Sequence, residues 1–213
     1  MTLPEEAPLP TWKLVVQMSG APGSGKSTLA RLLRSTIGGI IIDHDVLRST
    51  LLESSFVSFD QAARQAYLLQ WKLAQDFLKQ GVRTVIIDST CNYPEVLEQG
   101  NYLAAQHGYL YWYVECKVGD IALLDQRMRA RQPMASQRSA VDCPPVAAQG
   151  NGIRLGEDAP ALFSRWIESP CRPDDHSSVI IVDSTASPDV LCKQILDTFT
   201  SGCSSRLAGL PKV

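Results

Sequence analysis

The sequence predicts an α/β fold in which a five-stranded parallel sheet is covered by helices on both faces and carries a lid. Three observations predict it. Short apolar runs alternate with segments of helical apolar spacing, three of the runs end in aspartate, and a glycine-rich turn separates the first run from the first helix. Lys13–Met18 is a buried strand by composition, and Ser27–Ile37 places Leu29, Leu32, Leu33 and Ile37 on one helical face. Gly39–Asp43 is a second strand ending in an acid. Asp60–Gln80 is an amphipathic helix, with Ala63, Ala66, Tyr67, Trp71, Ala74, Phe77 and Leu78 as its apolar positions and Gly81 as its stop. Val82–Asp88 is a third strand, and Pro94–His107 a helix with proline in its first turn and Gly108 beyond its end. Tyr109–Cys116 is an aromatic strand, and Asp120 caps a helix through Arg131. Ser178–Asp183 is the fifth strand, followed by a helix near Pro188–Phe199. Strands alternating with helices imply a parallel sheet.

The chain has 213 residues, 45% hydrophobic and 20% charged, enough for one domain with a substantial core. We expect a single domain over residues 1–213, with a lid and acceptor region at about 127–177 and tails at 1–10 and 202–213. Gln132–Asp175 is long and rich in Pro, Gly, Ser and Gln, with one short helix at Asp158–Ile167. Connections of that length usually have a function of their own. A net charge of −2 gives no global basic field, so a broad electrostatic grip on nucleic acid is not expected. The six cysteines show no C-x-x-C pair, and the three histidines (His44, His107, His176) have no zinc-ligand spacing. Met1–Pro10 is acidic and proline-rich, and no run approaches the length of a membrane helix. A reducing, cytoplasmic compartment is the expectation.

Residues 20–28 read Gly-Ala-Pro-Gly-Ser-Gly-Lys-Ser-Thr, which matches G-x-x-x-x-G-K-[ST], the Walker A phosphate-binding loop. Backbone N–H groups can curl around a triphosphate only where small residues permit close approach, hence Gly20, Gly23, Ser24 and Gly25, with Ala21 and Pro22 completing the nucleotide-binding loop before Lys26. Lys26 supplies a mobile charge for the β- and γ-phosphates. The Ser27 hydroxyl is a hard oxygen ligand for Mg²⁺, and Thr28 continues the helix whose positive end faces the anion. ATP with Mg²⁺ is the expected ligand.

The second strand ends Asp43-His44-Asp45-Val46-Leu47-Arg48. In open α/β sheets ligands gather at the carboxyl ends of strands, so these side chains share a crevice with the glycine loop. Asp45 can accept a proton from a hydroxyl that attacks the γ-phosphorus, and Arg48, three residues on, can clamp an anionic group of the acceptor. Asp43, the last residue of that strand, is expected to be structural. Asp88 sits like a Walker B acid, suited to the Mg²⁺ shell or a bond to Ser27, and Thr90 or Asn92 follows near the acceptor. Arg127 and Arg131 are four apart and share a helix face; Arg138 is a third candidate cation, and Gln132-Pro133 ends the helix.

Gly20–Thr28 together with Asp45-x-x-Arg48 resembles the P-loop kinases that include polynucleotide 5′-kinase, zeta toxin and chloramphenicol phosphotransferase, with an AAA-33-like ATP-binding domain. The Asp43-x-Asp45-x-x-Arg48 string also resembles adenylylsulfate kinase. The resemblance covers roughly residues 13–131 and 178–199. It implies Asp45 as general base, Arg48 as the acceptor's phosphate ligand, and an R-x-x-x-R pair, Arg127 and Arg131, on the β- and γ-phosphates. It further implies that Asp183–Pro188 lines the adenine pocket. The expected activity is transfer of the γ-phosphate to a hydroxyl, with a small molecule or nucleoside favoured over a nucleic-acid end as acceptor. An ATP hydrolase or nucleotide-dependent switch is the competing class. Residues 49–80 and 132–177 match no acceptor motif, so the acceptor and the oligomeric state stay open.

Overall fold

A computed structural model describes residues 12–53, 57–148 and 158–208. Twelve main elements follow one another: β1 (Leu14–Ser19), α1 (Lys26–Ile37), β2 (Ile40–Asp43), α2 (His44–Leu52), α3 (Phe59–Lys79), β3 (Thr84–Asp88), α4 (Pro94–His107), β4 (Leu110–Lys117), α5 (Ile121–Arg129), α6 (Ala159–Glu168), β5 (Val179–Asp183) and α7 (Pro188–Ala208). The strands form one five-stranded sheet of order β2-β3-β1-β4-β5, with every pairing parallel. This is the α/β arrangement of a P-loop NTPase fold.

The period-2 alternation of β1 divides the core. Leu14, Val16 and Met18 join Leu29, Leu33, Ile195 and Phe199 on the face covered by α1 and α7. Val15 joins Ala74, Leu78, Val96 and Leu103 on the face covered by α3 and α4. A third cluster, Ala21, Val118, Leu124, Met128 and Phe163, ties α5 and α6 to the glycine loop. On the second face a polar row is fully satisfied: Tyr111 donates to Gln17 Oε1 at 2.7 Å, and Gln17 Nε2 donates to the Val96 carbonyl at 3.0 Å. Beside it the buried Glu115 accepts two bonds from Arg172, at 2.7 and 2.9 Å.

Two differences from the sequence reading matter. Residues 202–208, expected as part of a tail, continue α7, which runs unbroken to Ala208. Cys203 is fully buried, and Gly202 lies so close to Trp112 that an added Cβ would stand 2.5 Å from its ring. The other expected tail, residues 1–10, lies outside the described residues, as do 209–213. The second difference is α2, a helix that starts directly at the end of β2. Asp43 is its N-cap, accepting from Asp45 N at 2.9 Å and Val46 N at 3.3 Å. The strand ends there, so Asp45 belongs to the first turn of α2 and strand alternation does not relate it to Asp43. Among the described residues, no helix is long and apolar enough to cross a membrane.

Candidate active site

β1 leads toward β2 on one side of the sheet and β4 toward β5 on the other, which opens a crevice at the carboxyl ends of the strands. A cleft of about 790 Å³ occupies this position. It is walled by the glycine loop, the start of α2, the end of β3, the end of α5 with the turn after it, and the turn after β5.

Gly20 and Gly23 adopt φ of 134° and 83°. A Cβ at Gly20 would strike the Cys116 carbonyl, and one at Gly23 would stand 2.7 Å from the Leu124 carbonyl oxygen. Only glycine fits either place. Gly25 begins α1 in the left-handed region with no side-chain cap, so the first N–H groups of the helix are left for a ligand. Lys26 Nζ folds back onto the loop, donating to the Gly20 and Ala21 carbonyls at 2.9 and 3.1 Å. Ser24 is fully buried, and its hydroxyl has no hydrogen-bond partner among the described residues. Ser184 Oγ donates to the Ser24 carbonyl at 2.5 Å. This uncapped, glycine-lined cradle fits the phosphates of a nucleotide.

Opposite the loop stand three carboxylates. Asp43 and Asp88 are register partners at the ends of β2 and β3. Burial, then the charges of Asp88 and Asp45, push the Asp43 carboxyl up to about 6. Asp88, buried, is likewise raised by burial, against a hydrogen bond with Ser27 and the nearby Lys26 charge. Ser27 and Asp88 therefore form a hydroxyl–carboxylate pair beside the cradle, and among the described residues no group of three or more His, Cys, Asp or Glu side chains is arranged to hold a metal ion by itself. A hard cation that takes one or two protein oxygens and completes its shell with phosphate and water fits that donor set, which is the habit of Mg²⁺.

The structure brings Lys26, Ser27, Asp45, Arg48, Asp88, Thr90, Arg127 and Arg131 to one cleft, along with Pro22, Gly23, Gly25 and Thr28. Asn92 is exposed and outside it. Arg127 Nη2 donates to the Ser184 carbonyl at 2.8 Å. Arg131 Nη2 reaches the Arg138 carbonyl at 3.2 Å, while its buried Nε has no partner among the described residues. Burial lowers the Arg131 pKa, opposed by the charges of Asp45 and Asp43. Arg48 stacks over the Phe59 ring at 3.8 Å and donates to the Phe59 carbonyl at 3.2 Å, so it forms a cation–aromatic wall with a residue that sequence reasoning did not single out. The Thr90 carbonyl accepts from the Tyr67 hydroxyl at 3.2 Å. Of the aromatic residues, Trp166 lines the cleft, Trp112 is core against Phe199, and Tyr93 is exposed.

Asp45 accepts side-chain hydrogen bonds from the turn after α5 on both of its oxygens. Gln137 Nε2 donates to its Oδ2 at 2.8 Å and Ser136 Oγ to its Oδ1 at 3.3 Å. Neither residue carries a recognisable motif. Their partners are 91 and 92 positions away, and nothing in the spacing of a polar turn reveals such a contact.

A family model described as an AAA domain, AAA_33, matches residues 15–150, nearly two-thirds of the chain. The chain belongs to this family. No curated protein matches it. Among solved structures, a Chloroflexus aurantiacus protein aligns with TM-score 0.64 and 19% identity, covering 90% of this chain and 98% of that one. The APS kinase of Mycobacterium tuberculosis, in complex with AMPPNP and APS, aligns with TM-score 0.56 and 19% identity over 90% of this chain and 99% of its own. A gluconokinase from Sinorhizobium meliloti gives 0.56 and 14% over 94% and 98%. At these identities the likeness speaks for the shared fold.

Proposed function

We propose that this protein is an ATP-dependent phosphotransferase that moves the γ-phosphoryl group to a hydroxyl of a small acceptor, with Asp45 as general base. The single observation that carries the reading is the presence of the Asp45 carboxylate in the same cleft as the glycine cradle and Lys26. The N–H groups of the loop and of the α1 start would bind the β- and γ-phosphates, with Lys26 moving from the Gly20 and Ala21 carbonyls onto them. Mg²⁺ held near Ser27 and Asp88 would neutralise phosphate charge. The acceptor oxygen forms its bond to the γ-phosphorus as its proton passes to Asp45. The bond between that phosphorus and the β,γ-bridging oxygen breaks, and ADP departs with the electron pair. Arg127 and Arg131, which line the cleft, would offset the charge that builds on the transferring group, as fixed cations act strongly in a partly dry site. Arg48 and Thr90 would contact the acceptor.

An acidic chain and a cleft shared by both substrates favour a compact acceptor over a nucleic-acid end. The APS kinase and gluconokinase among the structural neighbours are named for small acceptors, which agrees with that choice. A mass-spectrometric screen of a metabolite mixture with MgATP tests the reading. Acceptor-dependent ADP formation should fall by about 10²–10⁴ in Asp45→Asn while ATP binding persists. Undiminished transfer in that variant rules Asp45 out as the base.

A further inference from the structure

The turn that follows α5 is closed onto Asp45. Gln137 N donates to the Met134 carbonyl at 2.9 Å, making a tight turn, and Met134 N in return donates to Gln137 Oε1 at 3.2 Å. That second bond fixes which end of the carboxamide is oxygen, so the NH₂ end is the one presented to Asp45 Oδ2. Ser136 adds four contacts to α2. Ser49 Oγ donates to Ser136 Oγ at 2.9 Å, and Ser136 N donates to Ser49 Oγ at 3.1 Å. Ser136 Oγ shares its proton between the Asp45 carbonyl at 3.2 Å and the Asp45 Oδ1 at 3.3 Å. Ser49 and Ser136 are both buried, so these bonds are shielded from water.

The position of the turn does not depend on Asp45 alone. Arg138, also buried, donates to the Val141 carbonyl at 3.0 Å and lies 5.8 Å from the centre of the Phe163 ring on α6. Arg131 Nη2 donates to the Arg138 carbonyl, so the segment is held at both ends by contacts that leave Gln137 out. Removing the Gln137 side chain therefore leaves the framework of the segment in place.

We propose that the Met134–Gln137 turn is a latch that covers the general base and is displaced by the acceptor. The inference rests on the phosphotransferase reading above. A carboxylate takes a proton along a lone pair aimed at the incoming hydroxyl, and one of the two lone pairs on each Asp45 oxygen already accepts a bond from the turn. The acceptor hydroxyl takes the place of the Gln137 carboxamide at Oδ2. Its proton passes to that oxygen while its own oxygen bonds to the γ-phosphorus and ADP leaves. A lone water lacks the other contacts needed to move the turn, so bound ATP is spared hydrolysis when no acceptor is present.

The test uses the full chain with MgATP and no acceptor, reading ADP release together with backbone hydrogen exchange over residues 134–138. Gln137→Ala should raise ADP release at least about tenfold, a fraction of what a general base supplies, and should speed exchange of the turn. Ser136→Ala should move both readouts in the same direction, which guards against misfolding of either single variant. In the double variant Asp45→Asn with Gln137→Ala, release should return to the wild-type level. ADP release that stays at the wild-type level in both Gln137→Ala and Ser136→Ala, with MgATP still bound, overturns the latch and leaves the kinase reading untouched. A rise that survives Asp45→Asn overturns the latch as a cover of the base, whereas the kinase reading falls only to undiminished acceptor-dependent transfer in Asp45→Asn.

Discussion

Lys26 spends its charge on two carbonyls of its own loop, a contact that a triphosphate would replace with a stronger, charge-assisted one. Excess MgATP should therefore stabilise the protein by mass action, about 2.7 kcal/mol at a hundred times the Kd. In Lys26→Met most of that gain should vanish at the same concentration, while the melting midpoint without nucleotide stays near wild type. Paired thermal melts check this. His44 makes a second residue-scale prediction. Its ring packs 4.1 Å from Tyr67, it is buried, and burial drives its pKa down to about 4. A depressed histidine favours the neutral folded form. Its stabilisation is complete above the unfolded pKa near 6.5 and is lost as pH falls toward 4. Relative to His44→Phe, which keeps a ring against Tyr67, the wild type should lose up to about 3 kcal/mol over that window. Urea titrations at several pH values measure the difference, and a pH-independent gap contradicts it.

Whether an element could be read from the sequence depended on how local its cause is. The β1–loop–α1 unit was legible because close approach of backbone to phosphate dictates residue type at Gly20, Gly23, Gly25 and Lys26. Pro94 and Gly108 bounded α4 for equally local reasons, and the structure keeps those bounds. α2 left no such mark. It follows β2 without a break, and one residue, Asp43, serves as both strand end and helix cap. The end of α7 was hidden for the opposite reason. Ser201, Gly202, Ser204 and Ser205 have the composition of a tail, yet helix continues because Gly202 and Cys203 pack into the core. Gly202→Ala puts a methyl into the Trp112 indole, which is itself buried against Phe199. Alanine's better helix propensity offsets only part of that clash, so we expect a net loss of about 1–2 kcal/mol by chemical denaturation. No loss would mean that this end of α7 does not press on the core.

At the scale of the molecule, contacts distant in sequence decide how the segment before β5 is held, and these were out of reach of motif reading. The segment before β5 is joined to the sheet by Arg172, whose two bonds to Glu115 span 57 positions. The carboxylate is almost wholly buried and its guanidinium partner about one-third exposed. Arg172→Ala would leave a buried charge without compensation, at a cost of about 3 kcal/mol. Arg172→Ala combined with Glu115→Gln should recover a good part of the loss. A double-mutant cycle of unfolding free energies checks both statements, and strict additivity would mean that the pair is not coupled.

The short bond from Ser184 to the Ser24 carbonyl, with Arg127 gripping Ser184 from the other side, joins three distant stretches of chain into one stiff bracket. A bracket so braced leaves little freedom for remodelling around the nucleotide. On the proposed reading, differences in acceptor among related enzymes should then accumulate between Gln132 and Ala148, outside the bracket, where side chains can change without loosening it.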